Sequence, residues 1–123
     1  MPRLDKAAPT RCPVPADDKD DWVPTAAQVA ALEQALPAYF AAAKAHPSRL
    51  PSSKHVYRRH YMGFTKGGKR YIFGSFYPAD DPLVTQVKPG SCPGFSDGGN
   101  AFWYLEFDLQ TNTVTAFGVN GSA

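Results

Sequence analysis

The segment Asp97-Gly98-Gly99-Asn100-Ala101-Phe102-Trp103-Tyr104-Leu105-Glu106-Phe107-Asp108 is the most aromatic and most strand-prone part of the chain. Its glycine pair ends a long loop, where two glycines permit a positive φ angle, a tight entry into a strand, or the close approach of a ligand. The alternation that follows predicts a strand with one face in the core: Trp103, Leu105 and Phe107. The opposite face, with Phe102, Tyr104, Glu106 and Asp108, is aromatic at its start and acidic at its end.

The regions on either side of this strand differ in character. Residues 109–112 suit a four-residue turn, because asparagine at its last position tolerates the left-handed conformation, and residues 113–119 form the returning strand. Residues 78–100, in contrast, contain four prolines and little periodicity. Loops of this length are usually functional or tethered. Within this loop, residues 83–87 predict a short edge strand.

A second hairpin is predicted upstream. Residues 55–64 and 70–77 are rich in aromatic and β-branched residues and flank Gly67-Gly68, a two-residue turn that sets Lys66 opposite Lys69. The same register places large side chains opposite glycines: Tyr61 opposite Gly74, and Ile72 opposite Gly63. Both faces of this hairpin are mixed in polarity, so the pattern leaves open which face is core.

An amphipathic helix precedes the hairpins. Thr25 and Gln28 have the spacing of a capping box. Apolar residues then recur at helical spacing, at Val29, Leu32, Leu36, Phe40 and Ala43. Pro37 removes an amide donor and predicts a kink, and Pro47 predicts that the helix ends by His46.

These elements predict an α+β fold, with one long kinked N-terminal helix packed on a four- to five-stranded antiparallel sheet of two hairpins. Residues 1–24 contain five prolines and a cluster of aspartates, which predict an extended arm. Residues 25–123 then form a single domain, which is the size expected for one hydrophobic core.

Composition excludes several classes of protein. Charged residues make up 20% of the 123 residues and the net charge is +2, which fits neither a disordered chain nor a strongly basic nucleic-acid binder. Charge is uneven, however, because residues 44–70 carry eight basic side chains and no acidic one. No apolar run reaches the roughly 18 residues that span a bilayer, and the first residues lack the apolar region of a signal peptide.

Cys12 and Cys92 each precede a proline in an irregular segment. This context favours a disulfide between two loops, worth about 4 kcal/mol in the chain-entropy model, over two free thiols. A disulfide indicates a periplasmic or secreted protein, whereas free thiols would indicate the cytoplasm.

The sequence contains no established catalytic or metal-binding motif. His46, His55, His60 and the two cysteines show no zinc-site spacing, so neither a metal nor another cofactor is expected. No nucleophile motif is present around a serine or cysteine. An enzyme, most simply a small hydrolase, would depend on Asp97, Glu106 or His60 acting across a cleft.

Basic and aromatic residues interleave at positions 54–70, a pattern that single-strand nucleic-acid binders use. The acidic C-terminal hairpin predicts a simpler role for this charge, in which Arg58 or Arg59 pairs with Glu106 or Asp108. Candidate binding residues lie in the glycine entry, on the aromatic strand and on the basic hairpin: Asp97, Gly98, Gly99, Asn100, Phe102, Tyr104, Arg58, Arg59 and Tyr61.

The motifs Tyr57-Arg58-Arg59-His60-Tyr61-Met62-Gly63, Asp97-Gly98-Gly99 and Asn120-Gly121 resemble those of small exported or lipoprotein-like bacterial proteins, over about the last two-thirds of the chain. The resemblance implies export and brings no catalytic residue with it. A helix followed by an antiparallel sheet is also similar to the cystatin-like arrangement, although the inhibitor motif Q-x-V-x-G is not matched at residues 86–90.

We therefore expect a non-enzymatic binding domain of an exported bacterial protein, whose partner is a protein or a component of the envelope. The alternatives are a small hydrolase and a nucleic-acid or anion binder that uses residues 54–70.

Overall fold

The computed structural model describes residues 1–14, 19–43, 50–85, 92 and 101–119. Within them the chain forms two helices and seven strands, which occur in the following order: β1 (Arg3–Leu4), β2 (Thr10–Arg11), β3 (Asp21–Trp22), α1 (Ala26–Ala43), β4 (Val56–Lys66), β5 (Lys69–Pro78), α2 (Pro82–Thr85), β6 (Trp103–Asp108) and β7 (Thr113–Val119).

All seven strands belong to one mixed sheet, which curls into a half-barrel. Strands β4 to β7 form an antiparallel meander, and β1, β2 and β3 all pair with the other edge of β4. The predicted α+β class is confirmed, but the prediction of a purely antiparallel sheet was wrong. The arm follows the direction of β4 in β1 and β2, which are parallel to it, and returns antiparallel in β3. The predicted arm therefore contributes three strands.

The register of the central hairpin is the predicted one, with Lys66 opposite Lys69. Gly67 and Gly68 both have positive φ angles, 58° and 77°, as the tight turn of a two-residue hairpin requires. Tyr61 covers Gly74, where an added Cβ would lie 2.9 Å from the tyrosine ring. Ile72 lies opposite Gly63, as predicted, but the side chain that covers this glycine is the ring of Trp22 on β3.

The two faces of the sheet, which the sequence could not rank, have different roles. The inner face packs on α1 and consists of alternating residues of β4, β5 and β6: Tyr57, Tyr61, Ile72, Phe76, Trp103, Leu105 and Phe107. These side chains pack against four residues of α1: Val29, Leu32, Leu36 and Phe40. The core positions predicted for the aromatic strand are thus confirmed. The outer face carries the intervening residues of the same strands.

Helix α1 begins with the predicted capping box. The backbone amide of Thr25 donates to Gln28 Oε1 at 2.9 Å, and the amide of Gln28 donates to Thr25 Oγ1 at 3.1 Å. The helix runs through Pro37 without a break, so a kink there stays a prediction, and the expected end at His46 lies outside the described residues. In the described part of the chain, neither helix has the length and apolar character needed to cross a membrane.

The segment after β5 differs from the predicted structure, whereas the last turn agrees with it. Residues 82–85 form a single helical turn where an edge strand was predicted at 83–87, and residues 86 and 87 lie outside the described residues. In the last turn, Asn112 has the expected positive φ of 54°. Asp108 holds this turn by accepting the amides of Gln110 and Thr111 at 2.8 and 3.4 Å.

Trp103→Ala is expected to lower the free energy of unfolding by about 3–5 kcal/mol, because Trp103 is 1% exposed and its removal leaves a cavity in the inner face. Chemical denaturation followed by circular dichroism measures this change. Val23→Ala is the control, since Val23 is 44% exposed and its truncation should leave stability nearly unchanged. Equal stability of the two variants would contradict the assignment of Trp103 to the core.

Candidate functional site

The structure divides the predicted binding residues between the two faces of the sheet. Arg59 and Tyr61 lie on the inner face, whereas Arg58 and Tyr104 lie on the outer face. Phe102 is buried against Tyr77 and Val84, beside the first residues of β6. The remaining candidates, Asp97 to Asn100, lie outside the described residues.

Arg59 is 8% exposed and is bound entirely within the chain. Its Nε donates to Glu33 Oε2 at 2.7 Å, and its Nη1 donates to the carbonyl oxygens of Asp5 and Ala7 at 2.7 and 3.0 Å. Tyr61 donates its hydroxyl to the same Glu33 oxygen at 2.6 Å. Burial, followed by the charge of Glu33, raises the pKa of Tyr61 well above its ordinary value, so the hydroxyl is a neutral donor. The network joins the arm, α1 and β4.

The predicted ion pairs of Arg58 or Arg59 with Glu106 or Asp108 were wrong, because both arginines pair with residues of the arm and of α1. Arg59 pairs with Glu33, Arg58 Nε lies 4.0 Å from Asp5 Oδ2, and Glu106 instead lies 3.9 Å from Lys66 Nζ. Charge patterning along the chain identified the acidic and basic segments, but strand order decided which of their side chains meet.

Four half-exposed or exposed rings form a row across β4, β5 and β6 on the outer face: Phe64, Tyr71, Phe73 and Tyr104. We name this row the aromatic platform. Its rings stack in two pairs, with centroids 5.4 Å apart for Phe64 and Tyr71 and 5.9 Å apart for Phe73 and Tyr104. Tyr104 is 38% exposed, and its ring lies over Gly118, where an added Cβ would lie 2.6 Å from Cζ. Part of this ring is therefore accessible to solvent.

Basic side chains border the aromatic platform at the hairpin tip. Lys66 Nζ lies 5.4 Å from the centroid of the Tyr71 ring, and the exposed Lys69 stands opposite Lys66. Arg70 lies on the other face, where its guanidinium stacks 3.7 Å from the ring of Trp22. The basic residues of segment 54–70 are thus distributed over both faces rather than gathered on one.

A second cluster lies where the arm meets β4. Cys12 and Cys92 form the predicted disulfide, and Cys12 donates its amide to the carbonyl oxygen of Tyr61 at 2.7 Å. His60 lies beside them: the two sulfur atoms and one ring nitrogen are all within 4.8 Å of one another. His60 Nδ1 is 3.2 Å from the hydroxyl oxygen of Tyr77, and burial lowers the pKa of His60 to about 4. The imidazole is consequently neutral at physiological pH.

No metal-binding spacing in the sequence predicts this cluster, because its members come from three distant segments of the chain. The sequence favoured a bond between the two cysteines, but nothing in it marks His60 as their neighbour. The pairing of β2 with β4, which sets Thr10 opposite His60, is what brings Cys12 to the histidine. That pairing involves a two-residue strand in a proline-rich arm, which has no detectable period.

The residues proposed for a hydrolase do not converge within the described chain. Glu106 lies on β6 and is paired with Lys66, whereas His60 lies on β4 at the disulfide. A cavity of about 390 Å³ between the arm and α1 does contain a carboxylate, that of Glu33. Its Oε2 already accepts hydrogen bonds from Arg59 Nε and the Tyr61 hydroxyl, and its Oε1 accepts one from Arg59 Nη2 at 3.4 Å, so both oxygens are engaged. Asp97 lies outside the described residues.

The free energy of unfolding is expected to fall as the pH is lowered from about 6.5 to about 4. In that pH range His60 binds a proton in the unfolded chain but not in the folded chain, so protonation favours unfolding. The stability that the neutral His60 contributes is complete above the pKa of the unfolded chain and is lost as the pH falls toward the pKa of the folded chain. The shift in the pKa of His60 corresponds to a loss of about 3 kcal/mol in the free energy of unfolding. Denaturation at several pH values measures it, and His60→Gln should flatten this part of the profile. An unchanged profile in the variant would contradict a neutral buried His60.

Comparisons with protein-family models, with curated protein sequences and with solved structures find no significant match. The resemblance to exported bacterial proteins therefore stays a prediction. Three features of the described residues are relevant to function. They are a platform of accessible rings bordered by lysines, an inner network whose polar groups are bound within the chain, and a buried histidine beside a disulfide.

Proposed function

We propose that this protein is a non-enzymatic binding domain of an exported bacterial protein, and that its partner is an anionic glycan of the cell envelope. The observation that carries the proposal is the aromatic platform. Large apolar rings normally lie in the core, and a contiguous group of accessible rings on a sheet is typical of an interaction surface. The rings are held by a three-stranded section of the sheet, so the surface is formed before a ligand binds.

The geometry of the rings favours a flat ligand. The planes of Phe73 and Tyr104 are inclined by 21°, and those of Phe64 and Tyr71 by 17°. Sugar rings present C–H groups on one side, and these groups pack against the face of an aromatic ring while the hydroxyls stay in water. A glycan chain can therefore follow the row from β6 to β4.

Charge on the outer face favours an anionic partner. Arg58, Lys66 and Lys69 lie on this face, where Arg58 Nε lies 4.0 Å from Asp5 Oδ2 and Lys66 Nζ lies 3.9 Å from Glu106 Oε2. In the described residues Lys69 has no ion pair. A polymer that carries carboxylates would gain attraction from the lysines at the hairpin tip, above all from Lys69, and the gain would decrease with salt.

The alternatives receive less support. Nucleic-acid binding through residues 54–70 requires Arg58, Arg59 and Arg70 on one face, but Arg59 is bound to Glu33 and Arg70 stacks on Trp22. A hydrolase requires Glu106 and His60 at one cleft, and they lie on strands separated by β5. Neither arrangement is favoured by the contacts of the described chain.

We also propose a periplasmic or secreted location and a cystatin-like arrangement of the fold. The disulfide supports a periplasmic or secreted location, because such bonds persist mainly in oxidising compartments. The curling of the sheet around α1 supports the cystatin-like arrangement as an analogy of fold, and it carries no inhibitory function with it.

Tyr104→Ala is expected to weaken binding to purified peptidoglycan sacculi by about tenfold, the lower range of what one stacking ring contributes to polymer binding. Co-sedimentation over a series of sacculus concentrations measures the affinity. Val23→Ala, which removes an exposed apolar side chain elsewhere, should bind like the wild type. Lys69→Ala should reduce binding at low salt more than at high salt.

Failure of the wild-type protein to sediment with sacculi would contradict an anionic glycan as partner. Binding that Tyr104→Ala leaves unchanged would contradict the aromatic platform as its site. Circular dichroism of each variant verifies the fold, and Tyr104 is suited to this test because its exposed ring contributes little to the core.

A further inference from the structure

We propose that Cys12, His60 and Cys92 form a zinc site when the disulfide between the two cysteines is reduced. Thiolate sulfur and imidazole nitrogen are preferred zinc ligands, and three protein ligands with one open position are a common zinc arrangement. The ligand atoms of one tetrahedral zinc ion lie roughly 3.5 Å apart, given Zn–S and Zn–N distances of about 2.3 and 2.0 Å. The three atoms here are all within 4.8 Å of one another, so small side-chain rotations suffice once the sulfurs separate.

Two of the three ligands are already held in place by the sheet. His60 is 4% exposed, and the Tyr77 side chain orients it through the Nδ1 contact of 3.2 Å and a ring packing of 5.3 Å. Cys12 follows β2 and is fixed by the hydrogen bond that its backbone amide donates to the carbonyl oxygen of Tyr61. Cys92 is only half-buried, which leaves a side from which a reductant and an ion can enter.

The histidine is what distinguishes this cluster from an ordinary structural disulfide. Burial of an imidazole costs free energy unless its polar atoms find partners, and an aliphatic side chain would pack against the disulfide without that cost. A polar ring with a metal-binding lone pair, buried within reach of both sulfurs, has a direct use in the reduced state. When zinc binds at His60 Nε2, the hydroxyl of Tyr77 at Nδ1 serves as the outer partner that metal-binding histidines usually have.

The reaction is balanced by a dithiol reductant. Two electrons pass from the dithiol to the Cys12–Cys92 bond, the reductant becomes a disulfide, and its two protons move to the cysteine sulfurs. Binding of Zn²⁺ then releases these two protons to solvent, because thiolates are the ligands. Two thiolates, one neutral imidazole and Zn²⁺ have no net charge, which suits a buried position.

The two states would tie the arm to the segment at Cys92 in different ways, by a covalent bond when oxidised and by a metal ion when reduced. Reduction alone removes a cross-link between residues 80 positions apart. Zinc restores a connection at the same place, so the protein would keep its architecture in a reducing compartment. This inference is independent of the proposed glycan binding, which concerns the aromatic platform.

The test uses the intact chain, reduced with a dithiol, freed of the reductant under anaerobic conditions, and titrated with Co²⁺ as a spectroscopic probe. The expected result is one ion per chain, with a thiolate-to-cobalt charge-transfer band and the ligand-field bands of a tetrahedral site, both abolished by Zn²⁺. The oxidised protein should give no such spectrum. Absence of the spectrum from the reduced protein would overturn the proposal.

Variants assign the ligands. Competition with a chromophoric chelator is expected to show that His60→Gln lowers zinc affinity more than tenfold, and Tyr77→Phe by about tenfold. His55→Gln is the matched control, because this histidine lies outside the cluster and should leave affinity unchanged. Equal zinc affinity of wild type and His60→Gln would mean that the two thiols bind alone, and would overturn the site as proposed.

A measurement on the unmodified chain keeps the test decisive if a variant fails to fold. Nitrogen-15 chemical shifts of the His60 ring are recorded in the reduced protein before and after addition of Zn²⁺. A large shift of one ring nitrogen is expected on coordination, and ring signals that do not move while zinc binds would exclude His60 as a ligand.

Discussion

The packing of Trp103 is the interaction on which the rest of the structure depends. Its ring stacks on Phe76 with centroids 3.8 Å apart and meets the edges of Phe40 and Tyr57, each at 5.5 Å. These contacts join β6, β5, β4 and α1 at one point of the inner face. Side chains of this size fit between a helix and a sheet when the sheet curls around them, and the observed half-barrel meets that requirement.

The inner face of the sheet is not accessible to a ligand, because its side chains are buried in the core. Its polar residues Arg59 and Tyr61 already form hydrogen bonds with Glu33 and with carbonyl oxygens of the arm. A buried guanidinium is tolerated because these partners compensate its lost hydration. Ligands must therefore approach the outer face, the cavity between arm and helix, or the region of the Cys12–Cys92 disulfide. Of these, the outer face presents the largest group of accessible rings.

Much of the fold follows from local rules that can be read in the sequence. The Gly67-Gly68 turn fixed the register of β4 and β5, the capping box located the start of α1, and Asn112 marked the last turn. The apolar alternation of β6 identified Trp103, Leu105 and Phe107 as core. Each of these features depends on residues that are close in sequence.

The parts that the sequence did not reveal depend on distant residues. Three two-residue strands of the arm have no periodicity of their own, and their pairing with β4 made the sheet mixed. The same pairing determined that Arg59 meets Glu33 and that His60 meets the disulfide. Of the candidate site, Tyr104 and the disulfide were identified from pattern, whereas the platform formed with Phe64, Tyr71 and Phe73 required the order of three strands. No motif records such an arrangement.

We propose that the inner face maintains the fold while the outer face binds the ligand. The most direct test of this proposal is a nuclear magnetic resonance titration of the labelled protein with soluble anionic fragments of peptidoglycan. Chemical-shift changes should concentrate at Tyr71, Phe73 and Tyr104 and leave the signals of Leu105 and Phe107 in place. Changes centred on Arg11 and Glu33 at the cavity, or no changes at all, would contradict it.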